Sequence, residues 1–331
     1  MVRYLKWAVA ILALSILLAA GAVGYAFHLY TRPGPLQAAG SIDVPKGVGM
    51  DRVIREMAAA GVIDHPDVFR AWVRILGADR RVKAGEYRFP PKVSQREALG
   101  IVIAGRTVLR RLTVPEGLTT WQILERIRQT PGLSGAIALR PGEGALMPDT
   151  YLFAKGETRD AIVRRMQAAM TEALDRAWAG RAPDLPLRTK REALVLASIV
   201  EKETGKPDER ARIAGVFVNR LRRGMRLETD PTVIYGLTEG KAPLGRRLLR
   251  KDLKTPHKWN TYVHRGLPPT PIANPGRDAL AAAVRPMKHD ELYFVADGTG
   301  GHRFSKTYRQ HLRDVRKWRK IRRRLEREGK R

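Results

Sequence analysis

A long apolar run without interior Gly or Pro, Leu194-Val195-Leu196-Ala197-Ser198-Ile199-Val200-Glu201-Lys202-Glu203-Thr204, predicts a helix that Gly205 stops. Thr189 and Glu192 have capping-box spacing and fix where it begins. Leu194, Ala197, Ser198 and Glu201 fall at i, i+3, i+4 and i+7, so they share one face. Glu201 therefore continues a face that is otherwise apolar or small. A carboxyl held against apolar surroundings has its charged form disfavoured, which suits a general acid near neutral pH. Glu201 is accordingly the candidate catalytic residue. A glutamate near the last turn of a buried helix can equally pair with an arginine, and this chain is rich in arginine.

The same patterning organises the rest of the chain. Ala8 to Phe27 carries no charge, and at ~1.5 Å per residue it reaches about 30 Å, one hydrocarbon core. Arg3 and Lys6 precede it, and Trp7, Tyr25 and Tyr30 occupy interfacial positions. This predicts a cytoplasmic N-terminus, a membrane anchor over residues 1–30 and an exported body. The apolar run continues past Ala20-Gly21-Ala22, a small-x-small site, and this favours an uncleaved anchor. Residues 31–40, with Pro33, Gly34 and Pro35, read as a linker.

An internal repeat follows. Ile42-Asp43-Val44-Pro45-Lys46-Gly47 and Leu112-Thr113-Val114-Pro115-Glu116-Gly117 each read as a strand and a Pro-x-Gly turn leading into an amphipathic helix. Between them lie a helical stretch from Val68 to Leu76, a strand from Ala84 to Phe89 and a helix from Ser94 to Ala104. Residues 41–145 thus form a small α+β binding or spacing module. The region 146–311 opens at Pro148-Asp149-Thr150-Tyr151-Leu152-Phe153 and a helix from Thr158 to Trp178. A second helix starting at Pro207 and stopping at Gly224 forms a hairpin with the Glu201 helix. Next comes a long segment of little periodicity, containing Trp259, Asn260, Tyr262 and Asn274. Its amide, hydroxyl and aromatic side chains suit a sugar-binding groove, although a structural Pro/Gly loop has a similar composition. A helix from Asp278, then a hairpin from Glu291 to Ser305 turning at Asp297-Gly298-Thr299-Gly300-Gly301, precede a basic helical tail, residues 312–331.

Composition narrows the partners. The 331 residues carry a net charge of +29 and no cysteine. Disulfides, thiolate metal sites and cysteine nucleophiles are thereby excluded, and no metal or cofactor is expected. So basic a chain favours anionic partners: nucleic acid, acidic lipid or cell-wall polymer. Export removes nucleic acid from that set and leaves membrane and wall.

Several linked motifs, in order, resemble the endolytic murein transglycosylases of the YceG-like family. They are Ala197 to Thr204, Thr229 to Gly236, Asn260-Thr261-Tyr262, Gly266 to Pro269, Ile272 to Gly276 and the hairpin from Tyr293 to Ser305. The resemblance spans roughly Ile42 to His311. Ala145-Leu146-Met147-Pro148-Asp149 departs from it where the family has aromatic residues before Pro-Asp.

The resemblance implies an α+β architecture: a transmembrane helix, a LysM-like module that engages peptidoglycan, and a mixed catalytic domain whose helical hairpin carries the acid/base at Glu201. It implies cleavage between N-acetylmuramic acid and N-acetylglucosamine with closure of the C6 hydroxyl onto C1, leaving 1,6-anhydro ends. It also implies substrate contacts at Asp230, Thr232, Tyr235, Asn260, Tyr262 and Asn274, termination of nascent glycan chains, and association with peptidoglycan synthases. Glu203, Glu228 and Asp230 are possible second carboxylates, but Glu203 lies about 200° round the helix from Glu201. Two further readings remain open: a hydrolytic muramidase on the same groove, and a wall-binding scaffold in which Glu201 is structural.

Overall fold

The computed structural model describes residues 2–45, 47–79 and 81–327, with side chains from residue 4 onward. The side chain of Arg3, Lys46 of the first strand–turn repeat and residues 328–331 of the basic tail lie outside the described residues. Among them, eleven helices and three two-stranded sheets give the mixed α+β architecture expected. Two compact units divide the chain. One comprises Met1–Arg111 with Gly132–Ser134 and Leu152–Glu157; the other comprises Leu112–Pro131, Gly135–Tyr151 and Thr158–Arg331.

In the first unit, α1 (Val2–Thr31) is apolar and solvent-facing over most of its length, and from Tyr4 to Thr31 it is long and apolar enough to cross a membrane. Its last turn is fastened by aromatic contacts: Tyr30 stacks on Trp72 at 4.7 Å, with Phe27 edge-on at 5.9 Å. Strand β1 (Gly40–Val44) pairs antiparallel with β2 (Gly85–Phe89), Gly40 opposite Phe89 and Val44 opposite Gly85. Helices α2 (Met50–Ala59), α3 (Pro66–Ile75) and α4 (Gln95–Ile103) enclose a core that includes Met57, Phe69, Tyr87, Phe89 and Leu99. Ser94 closes a full capping box with Glu97 at the start of α4.

Strand β3 (Leu109–Thr113) pairs with β4 (Thr150–Ala154). The repeat's second helix, α5 (Thr120–Arg128), starts on the Thr119–Gln122 capping box.

The second unit is built on helices. Its core is formed by α6 (Arg159–Ala179), α7 (Lys190–Glu203) and α8 (Pro207–Arg222), with α10 (Arg277–Val284) packed against all three. Leu196, Ile199, Val200, Ile213, Phe217 and Leu280 lie at the centre of its core. α7 starts on the Thr189–Glu192 capping box, as its spacing predicts. It does not end on a glycine cap. Thr204 turns extended, its hydroxyl accepts the Lys206 N–H at 3.0 Å, and Pro207 opens α8 at once. α9 (Asp230–Thr238) has no counterpart in the sequence reading, because only Thr232 and Val233 are buried and no apolar period forms.

From Glu239 to Gly276 the chain is irregular apart from one 3-10 turn, Asp252–Lys254. Buried Asp252 pins this segment, accepting from both Arg246 Nη atoms and the Leu249 N–H. Strands β5 (Tyr293–Ala296) and β6 (His302–Ser305) form the expected hairpin. α11 (Tyr308–Arg327) packs on it as a single helix, so the basic tail continues a helix that starts before residue 312.

Ser198 ties the irregular segment to α7. It is fully buried, donates to Val195 O at 2.7 Å and accepts the Ile272 N–H at 3.0 Å. Ser198→Ala should cost about 1–3 kcal/mol, because the buried Ile272 N–H loses its acceptor. A lower urea midpoint for the full chain in detergent is expected; an unchanged midpoint would show that Ile272 finds another partner.

Candidate active site

The last turn of α7 carries two carboxylates, Glu201 and Glu203, facing different surroundings. Two residues of helix separate them by about 200°.

Glu201 points into an ionic cluster whose other carboxylates, Glu116 and Asp278, reach solvent. Its side chain is 6% exposed, its Oε2 accepts the Gly276 N–H at 2.9 Å, and its Oε1 lies 3.6 Å from Arg210 Nη2 on α8. The same guanidinium reaches Glu116 at 3.3 Å and Asp278 at 3.6 Å. Burial and the charge of Glu201 raise the Glu116 pKa, against the pull of Arg210. A Cβ at Gly276 would fall 1.7 Å from Glu116 Oε1, so the Glu116 side chain would have to move to admit one. Gly117, held at φ +75°, brings its carbonyl to Lys202 Nζ at 3.2 Å. The apolar pocket expected around Glu201 is thus a cluster of ion pairs and backbone groups. It latches the turn at Glu116-Gly117 and the Gly276 loop to the end of α7.

Glu203 lines a cavity of about 390 Å³, together with Asp230, Tyr262, Tyr293, Tyr308 and His311. Its Oε1 accepts a hydrogen bond from Thr229 Oγ1. Burial pushes its pKa up to about 7; the Thr229 bond opposes the rise and the Asp230 charge adds to it. Tyr262 OH donates to Asp230 Oδ1 at 2.6 Å, and burial followed by this bond drives the phenol pKa well above its usual value. Beside them Glu228 sits at φ +51°, a left-handed conformation uncommon for a glutamate, with Oε2 3.1 Å from buried Arg220.

Three buried threonines brace this site. The Thr229 N–H donates to Thr261 Oγ1 at 3.1 Å, Thr232 Oγ1 donates to Thr229 O at 2.7 Å, and the Thr232 and Thr261 hydroxyls lie 2.9 Å apart. Thr232, expected to touch substrate, is therefore a support behind the cavity wall.

The two amides are engaged within the fold in the same way. Asn260 is fully buried, donating to Leu253 O and Thr255 O and accepting the Tyr262 N–H at 2.9 Å. Asn274 is also fully buried, accepting the Leu146 N–H at 2.8 Å and donating to Leu118 O at 3.0 Å. Asn260 is spent on backbone, and Asn274 on backbone and on the Thr120 and Glu143 side chains. Tyr235 donates to Glu143 at 3.1 Å and packs edge-on against Trp259, away from the residues around Glu203. Glu143, which the sequence reading missed, is raised by burial and already engaged by the Thr120 and Gly144 N–H groups. Of the expected substrate contacts, Asp230 and Tyr262 line the cavity with Glu203.

His302 closes onto Glu209 of α8 at 2.7 Å. A separate cavity of about 320 Å³ is lined mainly by alanines and arginines of α6 and α10 and has no carboxylate in its wall. Among the described residues no group of three or more His, Asp or Glu side chains is placed to hold a metal ion. The chemistry available beside Glu203 is that of a carboxyl titrating near neutrality, with an Asp–Tyr pair across the same cavity.

Comparison with known proteins supplies context for this geometry. The chain is 29% identical over 340 residues to an endolytic murein transglycosylase of Streptococcus pneumoniae, covering 87% of this chain and 60% of that protein. It is 36% identical over 171 residues to one from Bacillus subtilis, covering 52% and 46% of the two chains. It thus spans about 60% of the length of the first of these relatives. A crystal structure of a YceG-like protein from Listeria monocytogenes superposes with a TM-score of 0.51 at 29% identity, covering 84% of this chain and 99% of that one. The YceG-like family model matches residues 42–317, and the chain belongs to that family.

Proposed function

We propose that this chain is a membrane-anchored lytic transglycosylase acting on peptidoglycan, with Glu203 as its acid/base. One observation carries the assignment: a carboxyl raised to about 7 lines a cavity with Asp230 and Tyr262, in a chain similar to endolytic murein transglycosylases. The resemblance in sequence singled out Glu201. The surroundings favour Glu203, because Glu201 is committed to Arg210 and the Gly276 N–H.

A neutral Glu203 donates its proton to the glycosidic oxygen between N-acetylmuramic acid and N-acetylglucosamine, and the bond to C1 breaks. The carboxylate then takes the proton from the C6 hydroxyl of the same muramyl residue as that oxygen closes onto C1. The proton inventory is restored, no water is consumed and a 1,6-anhydro end results. Thr229 holds the carboxylate form between the two steps. Asp230, hydrogen-bonded by Tyr262, follows Thr229 in sequence, lines the same cavity and suits stabilisation of positive charge developing at C1.

The remaining features fit that setting. α1 would cross the membrane with its N-terminus in the cytoplasm and the body outside. The first unit would act as a LysM-like module on glycan. Cutting within strands would end nascent chains beside peptidoglycan synthases.

The deciding experiment is mass spectrometry of sacculi digested by the wild type, Glu203→Gln and Glu201→Gln. Anhydro ends are expected from the wild type and from Glu201→Gln at reduced yield, with none from Glu203→Gln. Loss only in Glu201→Gln would return the acid/base to that residue, reducing ends would make the chain a muramidase, and cleavage by all three would leave both carboxylates structural.

A second prediction concerns pH. The acid must be protonated, so kcat should fall about tenfold per pH unit above about pH 7. The folded pKa exceeds the reference value of 4.5, so the folded state binds the extra proton and wild-type stability falls as pH rises from about 4.5 through about 7. Glu203→Gln should therefore gain stability over the wild type at pH 8 relative to pH 5, as read by urea unfolding. An equal difference at both pH values would refute the raised pKa.

A further inference from the structure

The cavity beside Glu203 has a wall that the acid–base chemistry does not use. Hairpin strand β5 and the first turns of α11 supply it, through Tyr293, Tyr308 and His311. Tyr308, the first residue of α11, is 60% exposed. Its ring lies 5.8 Å from Tyr293 at a tilt of 52°. One turn on, His311 stacks on Tyr293 at 5.2 Å and lies 6.3 Å from Tyr308. Behind them the Arg220 guanidinium sits 5.1 Å from the Tyr293 ring centroid and is spent on Leu292 O, Arg226 O and Leu227 O.

Two features of this wall stand out. A single exposed aromatic side chain is ordinary on a protein surface. Tyr308, however, forms part of a cavity that also contains a carboxyl titrating near neutrality. His311 Nδ1 is shut off from solvent and has no hydrogen-bond partner among the described residues. Burial and the Arg220 charge lower the His311 pKa, so the ring is neutral and has one donor and one acceptor nitrogen. A buried polar atom left unpaired costs stability, and such atoms persist where a ligand uses them. An open aromatic face beside an unspent imidazole matches a pyranose with an acetamido group: C–H bonds on one face, hydroxyl and amide groups round the edge.

We propose that Tyr308 and His311 form a saccharide subsite of this cavity, in which Tyr308 stacks on an N-acetylhexosamine ring and His311 hydrogen-bonds its hydroxyl or acetamido group. This rests on the reading of Glu203 as the acid/base, because the subsite would hold a sugar of the strand being cut. Neither side chain transfers a proton in the reaction. Their contribution is uniform binding, which shows in KM rather than kcat.

The test uses the full chain in detergent, with the hexamer of N-acetylglucosamine as probe. Calorimetric titration is done in the Glu203→Gln background so that no turnover occurs, and steady-state rates on purified glycan strands are measured with Glu203 intact. Tyr308→Ala should weaken hexamer binding by roughly three- to tenfold and raise KM by a similar factor, with kcat within about twofold. Tyr308→Trp should restore both. His311→Phe keeps the ring against Tyr293 but removes the nitrogens, and it should weaken binding with the circular dichroism spectrum unchanged. Unchanged affinity and KM in Tyr308→Ala, or no hexamer binding by the Glu203→Gln chain, overturns the subsite. Retained turnover in Glu203→Gln would instead sink the acid/base reading, and the affinity data would stand apart from it.

Discussion

The acid/base proposed at Glu203 depends on the hydrogen bond that Thr229 donates to it. A carboxyl taken out of water becomes neutral unless something stabilises its charge. Here burial raises Glu203, and the Thr229 hydroxyl returns part of the charged form's stability, so the group titrates near neutrality instead of staying protonated. That balance requires Thr229 to stay fixed. Its backbone N–H is held by Thr261 and its carbonyl by Thr232, and both partners are buried.

The irregular segment that follows α9 is held by buried partners in the same way. A loop buried in a folded unit must find partners for its backbone polar groups. Asn260, Asn274, Asp252 and Ser198 serve as those partners, each reaching main-chain atoms of the segment or of its neighbours. Glu201 belongs with them through the Gly276 N–H. One helical turn thus separates two tasks: Glu201 anchors the loop, and Glu203 faces the cavity.

The sequence made the framework legible where periodicity and capping speak directly. The repeat, the helical hairpin, the capping boxes at Ser94, Thr119 and Thr189, and the β5–β6 turn follow from local pattern. The site was legible only as far as the right turn of α7. Apolar periodicity marked Glu201 as the carboxyl on the buried face, but that face meets Arg210, which lies on another helix. Glu203 lies about 200° round the helix from Glu201, off the apolar face, and only the return of the chain through Thr229, Asp230 and Tyr262 encloses it. Asn260 and Asn274 read as groove residues from their chemistry, and Thr232 as a substrate contact only from the resemblance. Composition cannot distinguish an amide offered to a ligand from one spent on backbone.

Such a site has a cost, and its location is informative. A carboxyl held near neutral pKa loses stability as pH rises, and Glu228 at φ +51° adds backbone strain one residue before Thr229. The first penalty falls on the last turn of α7 and the second on the short stretch between α8 and α9, whose geometry is overdetermined by the threonines and by Arg220, which binds the Arg226 and Leu227 carbonyls together with the Glu228 carboxylate. The apolar interior between α7, α8 and α10 carries neither, being closely packed. Stability is therefore generated in one part of the unit and spent in another, an arrangement that suits a preorganised acid/base and has no evident use in a scaffold that only binds. The Glu201 cluster lacks that combination: its carboxylates face a guanidinium and backbone donors, with no threonine brace and no strained residue beside it. That asymmetry supports placing the chemistry at Glu203.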